Sequence, residues 1–283
     1  MLLNISDKIS KELVVVLTTV KTVADELDMD FFVVGAAARD IIMEYCYGIK
    51  TQRATLDVDL GIRVEDWSGY ERLVNALAAK GFQEVNKTHR YRFNDTLVDI
   101  LPFGPIADNS QQIIWPPENA VGMSILGFKE AYQDALLVRI CQEPCIEVKI
   151  SSVVGMVIMK MIAWDEKKDV RRDDARDLLF LIKNYEHTGA IDRLYDFYPK
   201  LLELEQFNVD TACVRLLGRE IIKIADKDTT DKIKEIIKRE TELDLSQRLL
   251  SAMHGSDDDF EQNHSILEKL KQGIFDVVEE KYG

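Results

Sequence analysis

The chain has 283 residues, 46% of them hydrophobic and 30% charged, and a formal net charge of −14. That balance excludes a disordered or fibrous chain and gives enough length for one large domain or two ordinary ones, each with a real core. The acidic surplus argues against indiscriminate nucleic-acid binding, because phosphate contacts need Lys and Arg, so any such contact must use a local basic patch.

No apolar run is long enough to cross a bilayer, and the first residues lack the basic start, apolar centre and cleavage site of a signal peptide. The expectation is a cytoplasmic protein with no membrane contact. Cys46, Cys141, Cys145 and Cys213 are too few and too irregularly spaced for a disulfide scaffold or a zinc knuckle.

In chain order, Ile5 to Asp28 carries apolar residues at helical spacing (Ile9, Leu13, Val16, Leu17, Val20, Val23), which predicts an amphipathic helix. Phe31 to Val34 is a short β-type run stopped by Gly35, and Ala36 to Tyr47 resumes a helical pattern. A strand, a small-residue turn and a helix in that order point backbone N–H groups at an anion. Leu56 to Val64 reads as a strand, and Trp67 to Lys80 as a helix closed by Gly81. Arg90 to Phe93 and Leu97 to Leu101 read as two strands joined by the turn pair Asn94-Asp95, followed by a loop from Pro102 to Asn119. Leu136 to Ile140 and Ile146 to Ile150 read as two more strands.

From Ser151 the pattern becomes helical: Val153 to Trp164, Arg171 to Asn184, Ile191 to Leu204, Thr211 to Ile224, Asp231 to Arg239, Leu243 to Met253 and Ser265 to Lys281. The prediction is a mixed α/β (α+β) sheet domain over residues 1–150 and a helical domain over 151–283.

Three carboxylates carry the chemistry. Residues two apart on a strand share a face, so Asp57 and Asp59 can reach one cation while Val58 enters the core. Magnesium takes oxygen ligands and shares them with substrate phosphates. Asp99 interrupts an apolar strand, Leu97-Val98-Asp99-Ile100-Leu101, where a buried charge is costly unless paired or metal-bound. If that strand lies beside the Asp57 strand, three carboxylates face one place; otherwise Asp99 simply faces water.

Lys160 is the only charged residue between Val153 and Met161, so it either snorkels to solvent or is held in a cleft. If one helix runs on through Arg171, then Lys160, Lys167 and Arg171 form a stripe with Asp174 close by, suited to a triphosphate. A solvated face of ion pairs is the plainer reading for Lys167, Lys168 and Arg171. Lys87, His89, Arg90 and Arg92 form a second basic cluster that suits a phosphate or acceptor backbone. Trp115 could stack on a base or anchor its loop, and Arg39 and Asp40 brace the turn helix.

Gly35 with its small-residue turn, Arg39-Asp40, Thr55-Leu56-Asp57-Val58-Asp59 and Val98-Asp99 together resemble the polymerase-β-type nucleotidyltransferase superfamily. Within it the chain most resembles the AbiEii-like nucleotidyltransferases, whose members include toxins of type IV toxin–antitoxin systems. His89-Arg90-Tyr91, Val98 to Gly104, Lys160 to Trp164 and Arg172 to Asp177 also fit, so the likeness spans roughly residues 33 to 180. The resemblance implies Asp57, Asp59 and Asp99 as magnesium (Mg2+) ligands, with Asp99 also activating the acceptor. It implies Gly35, Ala36, Arg39 and Lys160 at the nucleotide, and catalytic roles for Lys160 and Asp177. The implied reaction moves NMP from an NTP to an acceptor such as tRNA or other RNA, with the helical domain closing the nucleotide cleft, and an antitoxin protein is an implied partner. One departure is that Ala36 stands where the superfamily has Gly or Ser, and it offers no hydroxyl to a phosphate. Two further readings follow: a member that binds nucleotide or a partner without turnover, and an aminoglycoside-type transferase with a small-molecule acceptor.

Overall fold

The computed structural model describes residues 3–51, 55, 57–85, 89–116, 122–166, 172–242, 248–253 and 260–282. The chain divides into two compact units, Met1–Ser152 and Val153–Gly283. The expected fold class, a mixed sheet domain followed by a helical one, is the one observed.

Among the described residues the first unit is built on ten strands: β1 (Leu3–Asn4), β2 (Phe31–Val34), β3 (Asp57–Arg63), β4 (Gln83–Glu84), β5 (Arg90–Phe93), β6 (Thr96–Phe103), β7 (Gln112–Ile114), β8 (Gly122–Ser124), β9 (Leu136–Cys141) and β10 (Ile146–Ile150). Among the described residues eight of them form one sheet in the order β1-β9-β10-β2-β3-β6-β5-β4, and β7 pairs with β8 separately. The sheet is mixed: β3 is antiparallel to β2 and parallel to β6, and β6 is antiparallel to β5. Its helices are α1 (Lys11–Glu26), α2 (Gly35–Arg39), α3 (Trp67–Ala79) and α4 (Phe128–Gln133).

Local chemistry sets the element ends. Ser10 caps α1 by accepting from the Leu13 N–H, so the helix starts at Lys11 although the apolar periodicity begins at Ile5. Ile5 and Ile9 are buried all the same. Asp66 caps α3 by accepting from the Gly69 N–H. After α2 the chain continues as a π-helical segment, Asp40–Cys46, so the helix expected over Ala36 to Tyr47 is present but widened in its second half.

The loop expected from Pro102 begins later, because Pro102 lies inside β6 opposite Ile62 of β3. Ile100 donates its N–H to His89 O on the β5 side, so the nitrogen of Pro102, two residues on, points to that same side. Among the described residues β5 has run out there, so the proline takes no ladder bond from them.

The second unit contains α5 (Val153–Glu166), α6 (Arg172–Lys183), α7 (Ala190–Phe197), α8 (Pro199–Leu204), α9 (Val209–Ile224), α10 (Lys227–Thr241), α11 (Arg248–Met253) and α12 (Phe260–Tyr282). The single helix expected over Ile191 to Leu204 is two, because Pro199 cannot supply an N–H to a continuing helix and instead opens α8. Nearly every side chain of α5 is buried, so it is the central helix of this unit. The backbones of α9 and α12 meet at glycines: a β-carbon on Gly218 would overlap Leu270 O, and one on Gly273 would overlap Arg215 O. Among the described residues, no helix is long and apolar enough to cross a membrane.

Candidate functional site

Sheet order brings the predicted carboxylates of the first unit together. Asp59 of β3 is directly paired with Asp99 of β6, and Asp57 with Leu97. Neighbouring strands in register present paired residues on the same face, so Asp57, Asp59 and Asp99 share one side of the sheet. Val58, Leu60 and Ile62 are buried, which anchors β3. On the other flank Asp59 pairs with Val34, the residue before Gly35.

That placement explains Gly35. Its φ is +65°, a left-handed backbone that side chains disfavour, and a β-carbon there would run into the Asp59 carboxylate. The small residue is therefore needed by Asp59 itself, whose carboxylate lies against the first residue of α2.

A side-chain relay fixes Asp57. Arg39, 2% exposed, holds Asp40 Oδ1 through Nε at 2.9 Å and Nη2 at 2.6 Å. The other oxygen of Asp40 accepts the Thr55 N–H at 3.3 Å. The Thr55 hydroxyl accepts the Asp57 N–H at 3.2 Å and donates to Asp57 O at 3.3 Å. Arg39 and Asp40 thus reach beyond the turn helix they were expected to brace and connect it to the approach to the acidic strand; Thr55 and its link to Asp40 are additions that no spacing in the sequence announces.

Arg90 has partners that the basic-cluster reading did not assign. It lies directly opposite Asp99 in the β5–β6 hairpin. Its Nε donates to Asp99 Oδ1 at 2.7 Å and its Nη2 to Asp99 Oδ2 at 2.7 Å, a two-pronged fork, while Nη2 also reaches Asp57 Oδ2 at 3.4 Å. The hydrogen bonds to Asp99 raise the guanidinium above its already high pKa and outweigh burial, so it stays charged. The two-residue turn could have revealed this: counting back from Phe93↔Thr96 places Arg90 against Asp99.

Asp57, Asp59 and Asp99 offer the hard oxygen donors that magnesium takes, on one face and from adjacent strands, so the donor chemistry fits. Among the described residues no three His, Cys, Asp or Glu side chains are drawn together as a metal cluster. Both oxygens of Asp99 are instead engaged by Arg90.

Trp115 packs among Trp67, Tyr70 and His89, with ring centroids 5.3, 5.5 and 5.3 Å away, which is the loop-anchor alternative. Arg92 is exposed on β5, and Lys87 lies outside the described residues.

The second unit carries the other predicted residues. Lys160 on α5, 7% exposed, does not snorkel; its Nζ donates to Asp177 Oδ2 at 2.7 Å and Asp174 Oδ1 at 3.1 Å, both on α6. Helix α5 ends at Glu166, and Lys167, Lys168 and Arg171 lie outside the described residues, as does Leu56.

No family model matches the chain, and no curated protein matches it. Solved structures do. The antibiotic-resistance factor ANT(2'')-Ia is 16% identical, over 70% of this chain and 98% of that one, with a TM-score of 0.36. An antigenic nucleotidyltransferase-like protein from Paracoccidioides brasiliensis is 18% identical, over 69% and 91%, with a TM-score of 0.38. The Thermotoga maritima CCA-adding enzyme complexed with tRNA is 12% identical, over 97% and 83%, with a TM-score of 0.26. These structural neighbours are nucleotidyltransferases or nucleotidyltransferase-like proteins, to which this chain is similar at low identity.

Proposed function

We propose that the protein is a magnesium-dependent nucleotidyltransferase that moves NMP from an NTP to a hydroxyl-bearing acceptor and releases pyrophosphate. The observation that carries this reading is the in-register Asp59–Asp99 pair on adjacent parallel strands, with Asp57 on the same face and Gly35 beside it. Asp57, Asp59 and Asp99 would hold the metal, which supplies charge neutralisation at the triphosphate when bound. The acceptor oxygen attacks the α-phosphorus, the bond to the β-phosphate breaks, and the acceptor proton passes to Asp99.

RNA, tRNA included, is the acceptor class to test first, with an aminoglycoside as the small-molecule arm. The family tie to AbiEii-like toxins, with an antitoxin partner, belongs to the same proposal. The assay incubates the protein with each labelled NTP and either total cellular RNA or an aminoglycoside. Label should move to one acceptor class and be lost in Asp57→Ala; equal labelling by that variant refutes the assignment.

A second reading, nucleotide binding without turnover, is favoured by Ala36 and by the Arg90 fork on Asp99. It predicts NTP and magnesium binding by calorimetry with no pyrophosphate formed.

A further inference from the structure

Three carboxylates on one face of a sheet repel one another, and Asp99 is only 8% exposed, so the group needs a counter-charge. Arg90 supplies one from the neighbouring strand. Its Nη2 lies between the two candidate ligands, 2.7 Å from Asp99 Oδ2 and 3.4 Å from Asp57 Oδ2, while Nε holds the remaining Asp99 oxygen at 2.7 Å. A cation bridging Asp57 and Asp99 would need the oxygens that the guanidinium holds.

From this geometry we infer that Arg90 is an internal counter-ion that occupies the cation position between Asp57 and Asp99 and competes with a divalent metal for it. The inference rests on the proposed metal site but concerns a residue that no ligand assignment includes. The two grips differ. The Asp99 fork is short and its carboxylate sheltered, whereas the Asp57 contact is long and that side chain 38% exposed. Release therefore begins at Asp57, the solvent side, and full occupation of the site requires the fork on Asp99 to open. Asp57 and Asp99 share this one counter-charge until a stronger cation arrives, which makes Arg90 a positioning residue in the resting protein.

The test is a Mn2+ titration, followed by electron paramagnetic resonance and calorimetry, of wild type, Arg90→Gln and Arg63→Gln. Arg63 closes the opposite end of β3, is exposed, and gives the same change of charge away from the carboxylates. Removing the competitor should tighten Mn2+ binding by Arg90→Gln roughly tenfold, while Arg63→Gln stays near wild type. Divalent cation should also raise the melting temperature of Arg90→Gln more than that of wild type, since it restores the missing charge. If Arg90→Gln binds Mn2+ no more tightly than wild type, the inference is overturned, whether or not wild type transfers NMP. Tightened binding with no NMP transfer by wild type supports the inference and overturns the transferase reading alone. Should Arg90→Gln fold too poorly to titrate, Arg90→Lys keeps the charge and loses the fork; tighter binding by it supports the competition, and equal or weaker binding refutes it.

Discussion

The carboxylate of Asp59 lies where a β-carbon on Gly35 would have to be, so the turn and the acidic strand share one steric constraint. Gly35→Ala should cost about 1–2 kcal/mol for the left-handed backbone alone, with displacement of Asp59 added. Chemical denaturation will read the stability loss. Mn2+ titration should show weaker binding, and an unchanged affinity would mean that Asp59 has no part in holding metal.

Lys160 and its two aspartates form a buried ion cluster within the helical unit. Lys160→Met leaves Asp177 buried without that cation, a loss of about 3–5 kcal/mol. Adding Asp177→Leu should recover part of it, because removing both charges costs less than stranding one. Thermal unfolding of the single and double variants checks this; a harmless Lys160→Met would show the cluster to be solvated.

At the crossing of α9 and α12 the constraint is steric. Gly273→Ala puts a methyl group into the Arg215 carbonyl and should destabilise by about 1–3 kcal/mol, the usual range for overpacking. A melting temperature equal to wild type would show that the two helices can part without cost.

The same helices are tied by ion pairs with a pH signature. Burial acts to raise the pKa values of Glu205 and Asp276, but hydrogen bonds from Lys269 and Arg215 to the first, and from Arg215 and Arg219 to the second, outweigh it and hold both below their ordinary 4.5 and 3.8. Groups with depressed folded values contribute stability that is present above the ordinary value and lost as pH falls through the folded one. Stability should therefore decline on acidification below about pH 4.5, and Glu205→Gln should flatten part of that decline. Identical acid profiles for the two proteins would refute the contribution.

Strands of four residues or more were legible. Phe31–Val34 and Ile146–Ile150 match their predicted bounds, and the Asn94-Asp95 turn set the register that pairs Arg90 with Asp99. The two- and three-residue strands β1, β7 and β8 and the short helix α4 were not, because they carry too few side chains for a period to emerge. The face shared by Asp57, Asp59 and Asp99 followed from spacing once the two strands were set side by side. The reach of Arg90 to Asp57 and the partners of Lys160 required the fold, because each charge there meets a carboxylate on a separate element.

The path from Arg39 through Asp40 and Thr55 to Asp57 has a mechanical consequence. The helix after Gly35 and the start of the acidic strand are linked by it, so a pull on one is delivered to the other. A group that grips the turn would shift the angle at which Asp57 is offered, and a change at sheltered Arg39, far down the relay, would be felt as a misaimed carboxylate.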